Sequence, residues 1–140
     1  MTTATNDTHQ HDLRWWGGLF GLLGASAVIL GAFGAHGLEN TLTADSLDAY
    51  KTGVHYQFIH VLAALMSMSL LRTQPGRLLK WTLVFQLLGI VFFSGSIYLL
   101  STQSLTGLDW PFLGPITPIG GVFFIVSWLT LAYALIKSYA

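Results

Sequence analysis

The sequence WWGGLFGLLGASAVILGAFGA, residues 15–35, is the first of four long apolar stretches that decide the fold. It contains no charged side chain, and it is long enough for a helix to cross a bilayer core, which takes about 20 residues. The other three stretches run over residues 54–71, 81–100 and about 116–136. Their apolar residues are continuous and do not alternate with polar ones, which indicates transmembrane helices rather than the strands of a barrel.

The composition of the whole chain agrees with a membrane protein. Hydrophobic residues make up 53% of it and charged residues only 9%, against about 25% charged in a typical soluble domain. The net charge of zero gives no reason to expect a nucleic-acid partner, and the absence of cysteine excludes disulfides and thiolate chemistry. We expect one all-α integral membrane domain over residues 13–138, an up-down bundle of four helices in a lipid bilayer, preceded by a disordered polar tail over residues 1–12.

The charges of the connecting segments predict the orientation of the bundle. Arg72, Arg77 and Lys80 lie between the second and third stretches with no acidic residue, whereas three acidic residues and Lys51 lie between the first and second. Lysine and arginine accumulate on the cytoplasmic side of a membrane. The segment 72–80 and both chain termini are therefore expected in the cytoplasm, and the opposite end of the bundle outside.

The first stretch has an alternative interpretation as a cleaved signal peptide, because Ala32 and Gly34 resemble a small-x-small cleavage site. Its apolar run is longer than the core of about 7–15 residues that a signal peptide has, and Asp7 and Asp12 precede it beside Arg14. A retained helix is favoured. Between the first two stretches, Thr43 is a suitable N-cap for a short interfacial helix on the outer surface.

Four strings of the sequence resemble the YgdD-like family, domain of unknown function 423. They are GAFGAHGL (31–38), YKTGVHYQFIHVLAAL (50–65), FSGSIYLLSTQSLTG (93–107) and GPITPIGG (114–121). The resemblance covers about residues 13–138. It implies four transmembrane helices in the cell membrane of a bacterium, and it implies no established activity.

The predicted topology gathers polar side chains from all four helices in the outer half of the bundle, and this cluster is the candidate binding site. Its members are His36, Tyr56, Gln57, His60, Ser94, Tyr98 and Thr117. Tyr56, Gln57 and His60 share one helix face, and we expect Gln57, His60 and Ser94 to face one another. Such groups either hold helices together or form a site for a solute or proton, and the first role is favoured. No metal or other cofactor is expected, since the histidines lack carboxylate or thiolate neighbours.

Two glycine patterns also bear on packing. Gly17, Gly21, Gly24 and Gly31 form a ridge along the first helix, which favours close packing inside the bundle over dimerisation. The string GPITPIGG resembles the opening of a discontinuous helix, but a plain proline-rich helix start is favoured.

Three functions are compatible with the sequence. A non-enzymatic accessory or interaction protein, with a membrane-protein partner or a second copy of the chain, ranks first because the helices carry no charged pair, nucleotide motif or nucleophile–base pairing. A small channel or carrier that uses the polar cluster ranks second, because Gln86 is the only plainly polar residue in the inner half. An enzyme acting on lipid, with His36 or His60 as a base, ranks last because no carboxylate is placed to orient either ring.

Overall fold

The computed structural model describes residues 2–73 and 76–138, and the protein in this range consists of helices and short connections. Four segments are long and apolar enough to cross a membrane. The third of these spans is interrupted by one turn of π-helix. The elements are α1 (Thr2–His36), α2 (Ala44–Thr73), α3 (Arg77–Gly89), the π-helix (Ile90–Ser94), α4 (Gly95–Ser101), α5 (Gln103–Thr106) and α6 (Leu113–Ser138).

The four spans alternate in direction, so the loops of the bundle gather at two ends of opposite charge. The basic end holds the start of the first span, the α2–α3 connection and the end of α6, with Arg14, Arg72, Arg77, Lys80 and Lys137. The acidic end holds the α1–α2 and α4–α6 connections, with Glu39, Asp45, Asp48, Lys51 and Asp109. The prediction of a four-helix up-down membrane bundle is confirmed.

The helix α1 begins at Thr2, and the expectation of a disordered polar tail over residues 1–12 stays a prediction. One segment differs from the sequence prediction. The segment after residue 43, predicted as a separate interfacial helix, is instead the start of α2, which is continuous from Ala44. Thr43 is the expected cap, since the Ser46 backbone N–H donates to its hydroxyl at 3.3 Å.

Helices α1 and α2 pack through a seam that repeats every seven residues. A Cβ added to Gly17 would lie 3.3 Å from Met68, and Gly24 and Gly31 bear the same relation to Val61 and Val54. Successive members of each set are seven residues apart and run in opposite directions, as in an antiparallel coiled coil. The predicted packing role is confirmed for these three glycines. Gly21 is different, because the space beside it is open.

The third span and α6 approach each other through glycines on both helices. A side chain on Gly89 would meet the ring of Phe124, and one on Gly120 would meet the backbone of Phe92 and Phe93 in the π-helix. The helices therefore pack backbone to backbone at the widened turn. The helix α6 is continuous from Leu113 through Pro118, as the prediction of a plain helix start requires.

The helix α1 lies at the side of the bundle. It packs extensively against α2, whereas the third span packs against both α2 and α6. Side chains such as His60 and Trp128 also join α2 to α6. Large apolar side chains on the remaining faces of α1, including Leu22 and Ile29, are exposed to the surroundings of the bundle. In a bilayer those faces contact lipid.

Candidate functional site

Gln57 joins three helices through its side-chain amide. Its Nε2 donates to the backbone oxygen of Leu23 and to the hydroxyl of Ser26, both at 2.8 Å, and its Oε1 accepts from the Tyr98 hydroxyl at 2.8 Å. The residue is buried. Both of its N–H donors and its oxygen therefore have partners, which is the condition under which a buried amide stabilises a protein.

The seam between α1 and α2 explains why Gln57 occupies this place. It lies three residues after Val54 and four before Val61, so it continues the seven-residue repeat that faces α1. Two turns toward the acidic end, Tyr50 donates to the backbone oxygen of Leu30 at 3.2 Å. The ring of Tyr50 also packs on that of Tyr98, with centroids 5.1 Å apart.

His60 has a partner for each of its ring nitrogens. Its Nδ1 lies 2.8 Å from the backbone oxygen of Tyr56, and the Trp128 indole N–H donates to its Nε2 at 3.1 Å. A carbonyl oxygen only accepts and an indole N–H only donates, so the hydrogen of a neutral imidazole is on Nδ1. The ring also stacks on Phe124 at a centroid distance of 3.5 Å. His60 is thus fixed in orientation and tautomer by α2 and α6.

The remaining predicted site residues are dispersed. Ser96, an unpredicted partner, shares a hydrogen bond of 2.7 Å with Thr117 and so links α4 to α6. The Tyr56 ring is part of an aromatic stack with Phe93 and His60. His36 is exposed at the end of α1, and no hydrogen bond between described residues joins it to the cluster.

The expectation that Gln57, His60 and Ser94 face one another as one group is not met by their hydrogen bonds. Gln57 pairs with α1 and α4, and His60 pairs with its own helix and α6. The Ser94 hydroxyl is buried and, among the described residues, has no hydrogen-bond partner. The reason is that Ser94 ends the π-helix, whose extra residue per turn changes the facing of the third span.

Several functional partners were missed by the sequence prediction. Ser26 and Trp128 complete the networks of Gln57 and His60, but serine and tryptophan are common in membrane helices and gave no separate signal. The seven-residue spacing of Gly17, Gly24 and Gly31 could have placed Ser26 and Gln57 near one seam. No comparable spacing marks Trp128.

Polar side chains also continue into the half of the bundle at the basic end, where only Gln86 was expected. Thr82 donates to Thr130 at 2.9 Å, and Ser67 and Ser127 donate to backbone oxygens of their own helices. The first of these bonds links α3 to α6, and the other two satisfy hydroxyls within their own helices, as is usual for such residues in membranes.

Gln86 is the exception in that half. It is completely buried, and neither its Nε2 nor its Oε1 has a hydrogen-bond partner among the described residues. Gln57 and Gln86 therefore carry the same amide group in different surroundings. The amide of Gln57 has a partner for each donor and for its oxygen, whereas that of Gln86 has none among the described residues. A buried amide lacking partners costs free energy, on the order of 1–3 kcal/mol.

The site's chemistry is that of hydrogen bonds between neutral groups. Within the described residues, no group of three histidine, cysteine or acidic side chains is placed to hold a metal ion. The buried side chains Gln57 and His60 and the half-buried Tyr98 each fix the position of a helix relative to its neighbour.

Comparison with known proteins places the chain in one family. The model of the family described as "Protein of unknown function (DUF423)" matches residues 30–121. A UPF0382 membrane protein of Haemophilus influenzae is 38% identical over 86% of this chain and 92% of its own length.

Two further relatives are named more specifically. The UPF0382 membrane protein YwdK of Bacillus subtilis is 42% identical over 79% of this chain and 87% of its own length. The UPF0382 inner membrane protein YgdD of Escherichia coli is 38% identical over 79% of this chain and 80% of its own length. No solved structure matches.

The chain therefore belongs to the DUF423 family of multi-pass membrane proteins, as its resemblance to the YgdD-like family implies. No function is assigned to this family.

Proposed function

We propose that this chain is a non-enzymatic accessory protein of the bacterial inner membrane, which acts by binding another membrane protein. The observation that carries the proposal concerns the hydrogen bonds of His60, the buried histidine of the candidate site. Both ring nitrogens of His60 are engaged within the bundle, by Tyr56 and Trp128. A base that has to accept a proton from a substrate needs a free nitrogen within reach of that substrate.

The surroundings of the bundle support an interaction role. The helix α1 packs extensively on α2 alone, so its other faces form a long surface that a second protein could cover. Leu22 and Ile29, seven residues apart on that surface, are 72% and 68% exposed. A helix of a partner would lie against them along one stripe, as neighbouring transmembrane helices do.

Co-purification tests this proposal. Proteins are crosslinked in cells, and the membranes are then solubilised gently. We expect a crosslinked partner of the same mass in every preparation of the wild-type protein, and none with the double variant L22W/I29W. The matched control is L129W, which adds a tryptophan at an equally exposed position of α6. A wild-type protein recovered only as a single uncrosslinked species would count against the proposal, and a crosslinked species of twice its mass would identify a second copy as the partner.

We also propose that both termini are cytoplasmic. Five of the six lysine and arginine residues lie at the basic end, which is the distribution that keeps an end in the cytoplasm. The chain has no cysteine, so single cysteines report directly on exposure. A membrane-impermeant thiol reagent is expected to label S104C in intact cells and K137C only after permeabilisation. The reverse pattern would invert the topology.

A small channel or carrier is the second candidate, and one observation favours it. Gln86 and Ser94 present buried polar atoms without partners within the described residues, in the middle of the third span. Proton flux into proteoliposomes, measured with an internal pH dye, tests this function. Flux that is present in the wild type and lost in Q86L would support transport, and wild-type flux equal to that of empty vesicles would exclude proton transport.

A further inference from the structure

A groove at the basic end of the bundle lies between α1 and α3. Its volume is ≈ 420 Å³, and its lining consists of Trp16, Arg77, Lys80, Trp81 and Val84. Both cations of the lining come from one turn of α3, three residues apart, and therefore project from the same side of that helix. The lining contains no acidic side chain.

The arrangement of the helices accounts for the lining of the groove. The helices α1 and α3 both pack against α2, and residues of both helices line the groove. Trp16 and Trp81 form opposite parts of the lining, one from each helix. Each indole is held by a stacked phenylalanine of its own helix, Phe20 for Trp16 and Phe85 for Trp81, with centroids 5.9 and 5.8 Å apart.

The groove lies at the level where a membrane ends. The first candidate span begins at Leu13 and the third at Arg77, so Trp16 and Arg77 are both within the first turns of their spans. Tryptophan is enriched at this level because its ring is apolar and its N–H is polar. The headgroups of the same leaflet are at this level too, whichever side of the membrane the basic end faces.

We propose that this groove binds the headgroup of an anionic phospholipid. The phosphodiester would accept hydrogen bonds from the Arg77 guanidinium and the Lys80 ammonium, since arginine offers two parallel donors and lysine a compact charge. The glycerol backbone would lie between the two indoles, and an acyl chain would continue along Val84 toward the bilayer centre. Basic pockets between transmembrane helices are recognised sites of anionic lipid headgroups.

A zwitterionic lipid is a weaker match because its ammonium group would be brought toward the two cations. Free phosphate shares the anionic chemistry but would use neither the tryptophans nor Val84. Charge and apolar lining together therefore favour a lipid, and the site is independent of any protein partner.

Thermal stability in mild detergent, titrated with lipid, tests the proposal. Phosphatidylglycerol is expected to raise the Tm of the wild-type protein at concentrations where phosphatidylcholine and inorganic phosphate do not. The variant R77Q/K80Q should bind phosphatidylglycerol roughly 30-fold more weakly, which corresponds to about 1 kcal/mol for each cation. The control R72Q/K137Q removes the same charge from the same end, outside the groove, and should keep the wild-type response.

Three outcomes would overturn the proposal. They are an equal response to phosphatidylcholine, a full response to inorganic phosphate alone, and an undiminished response of R77Q/K80Q. If the double variant does not fold, R77Q replaces it, because Arg77 is exposed at the first turn of α3 and its loss alone should weaken binding by about fivefold, at about 1 kcal/mol.

Discussion

At the scale of single residues, Gln57 and Gln86 show that burial alone does not determine what a polar side chain does in a membrane protein. Gln57 has a partner for each N–H and for its oxygen, contributed by α1 and α4. Gln86 is equally buried and has none among the described residues. The two residues should respond in opposite ways to the same substitution.

Replacing Gln57 by leucine is expected to lower the Tm in mild detergent and to reduce the free energy of unfolding by roughly 1–3 kcal/mol. The change removes three hydrogen bonds, which average about 0.6 kcal/mol each in membrane proteins, and leaves the Tyr98 hydroxyl without its acceptor. The double variant Q57L/Y98F should recover part of the lost free energy of unfolding, since it also removes the Tyr98 hydroxyl that Q57L leaves without an acceptor. A Tm of Q57L at or above that of the wild type would contradict this account.

Replacing Gln86 by methionine, which has a similar volume, is expected to raise the Tm. The substitution removes two polar atoms that have no partner in the described part of the chain and keeps the packing of the third span against α6. The gain should be on the order of 1 kcal/mol. A lower Tm of Q86M would show that an internal water molecule or a ligand pairs with the amide.

The sequence reveals the polar residues but not their partners. Gln57, His60 and Tyr98 stand out because polar groups are rare in apolar spans. Trp128, which holds His60, is one of several tryptophans and has no distinguishing pattern. Ser94 was expected among the partners of His60, and the π-helix that ends there has no signal in the residues of IVFFS.

At the scale of helices, glycine decides which surfaces can approach. The length, composition and direction of the spans follow from hydropathy and loop charge, and the structure has four spans where the sequence predicts them. The bounds of α2 differ because nothing in residues 44–53 breaks the helix before the apolar stretch begins. A continuous helix keeps every backbone group paired at the membrane surface, so a separate short helix has no advantage.

Glycine substitutions test the packing of α6 directly. Alanine at Gly120 would collide with the backbone of Phe92 and Phe93, which cannot rotate away as a side chain can. We expect G120A to lower the free energy of unfolding by about 1–3 kcal/mol, measured by thermal unfolding in detergent. G21A is the matched control, because nothing lies within 4 Å of a Cβ there and its Tm should equal or exceed that of the wild type.

At the scale of the whole molecule, charge is separated along the bundle while the net charge is zero. The groove of Trp16, Arg77, Lys80, Trp81 and Val84 lies at the basic end, and its response to lipid should depend on ionic strength. Raising salt from about 0.1 M to 1 M shortens the screening length from about 10 Å to 3 Å. The Tm increase caused by phosphatidylglycerol should therefore shrink, whereas the stability of the lipid-free protein should change little. An increase unaffected by salt would indicate binding through the acyl chains alone.

The attachment of α1 to α2 has a consequence for how the protein is made. The seam of Gly17, Gly24 and Gly31 and the bonds from Gln57 and Tyr50 to the backbone of α1 all lie within the first two spans. A nascent chain of residues 1–73 can already form this hairpin. The Oε1 of Gln57 then still lacks its donor, the Tyr98 hydroxyl, which is synthesised later. Insertion into the bilayer can thus proceed in two antiparallel pairs, the second pair docking onto the exposed side of α2 when its last helix leaves the ribosome.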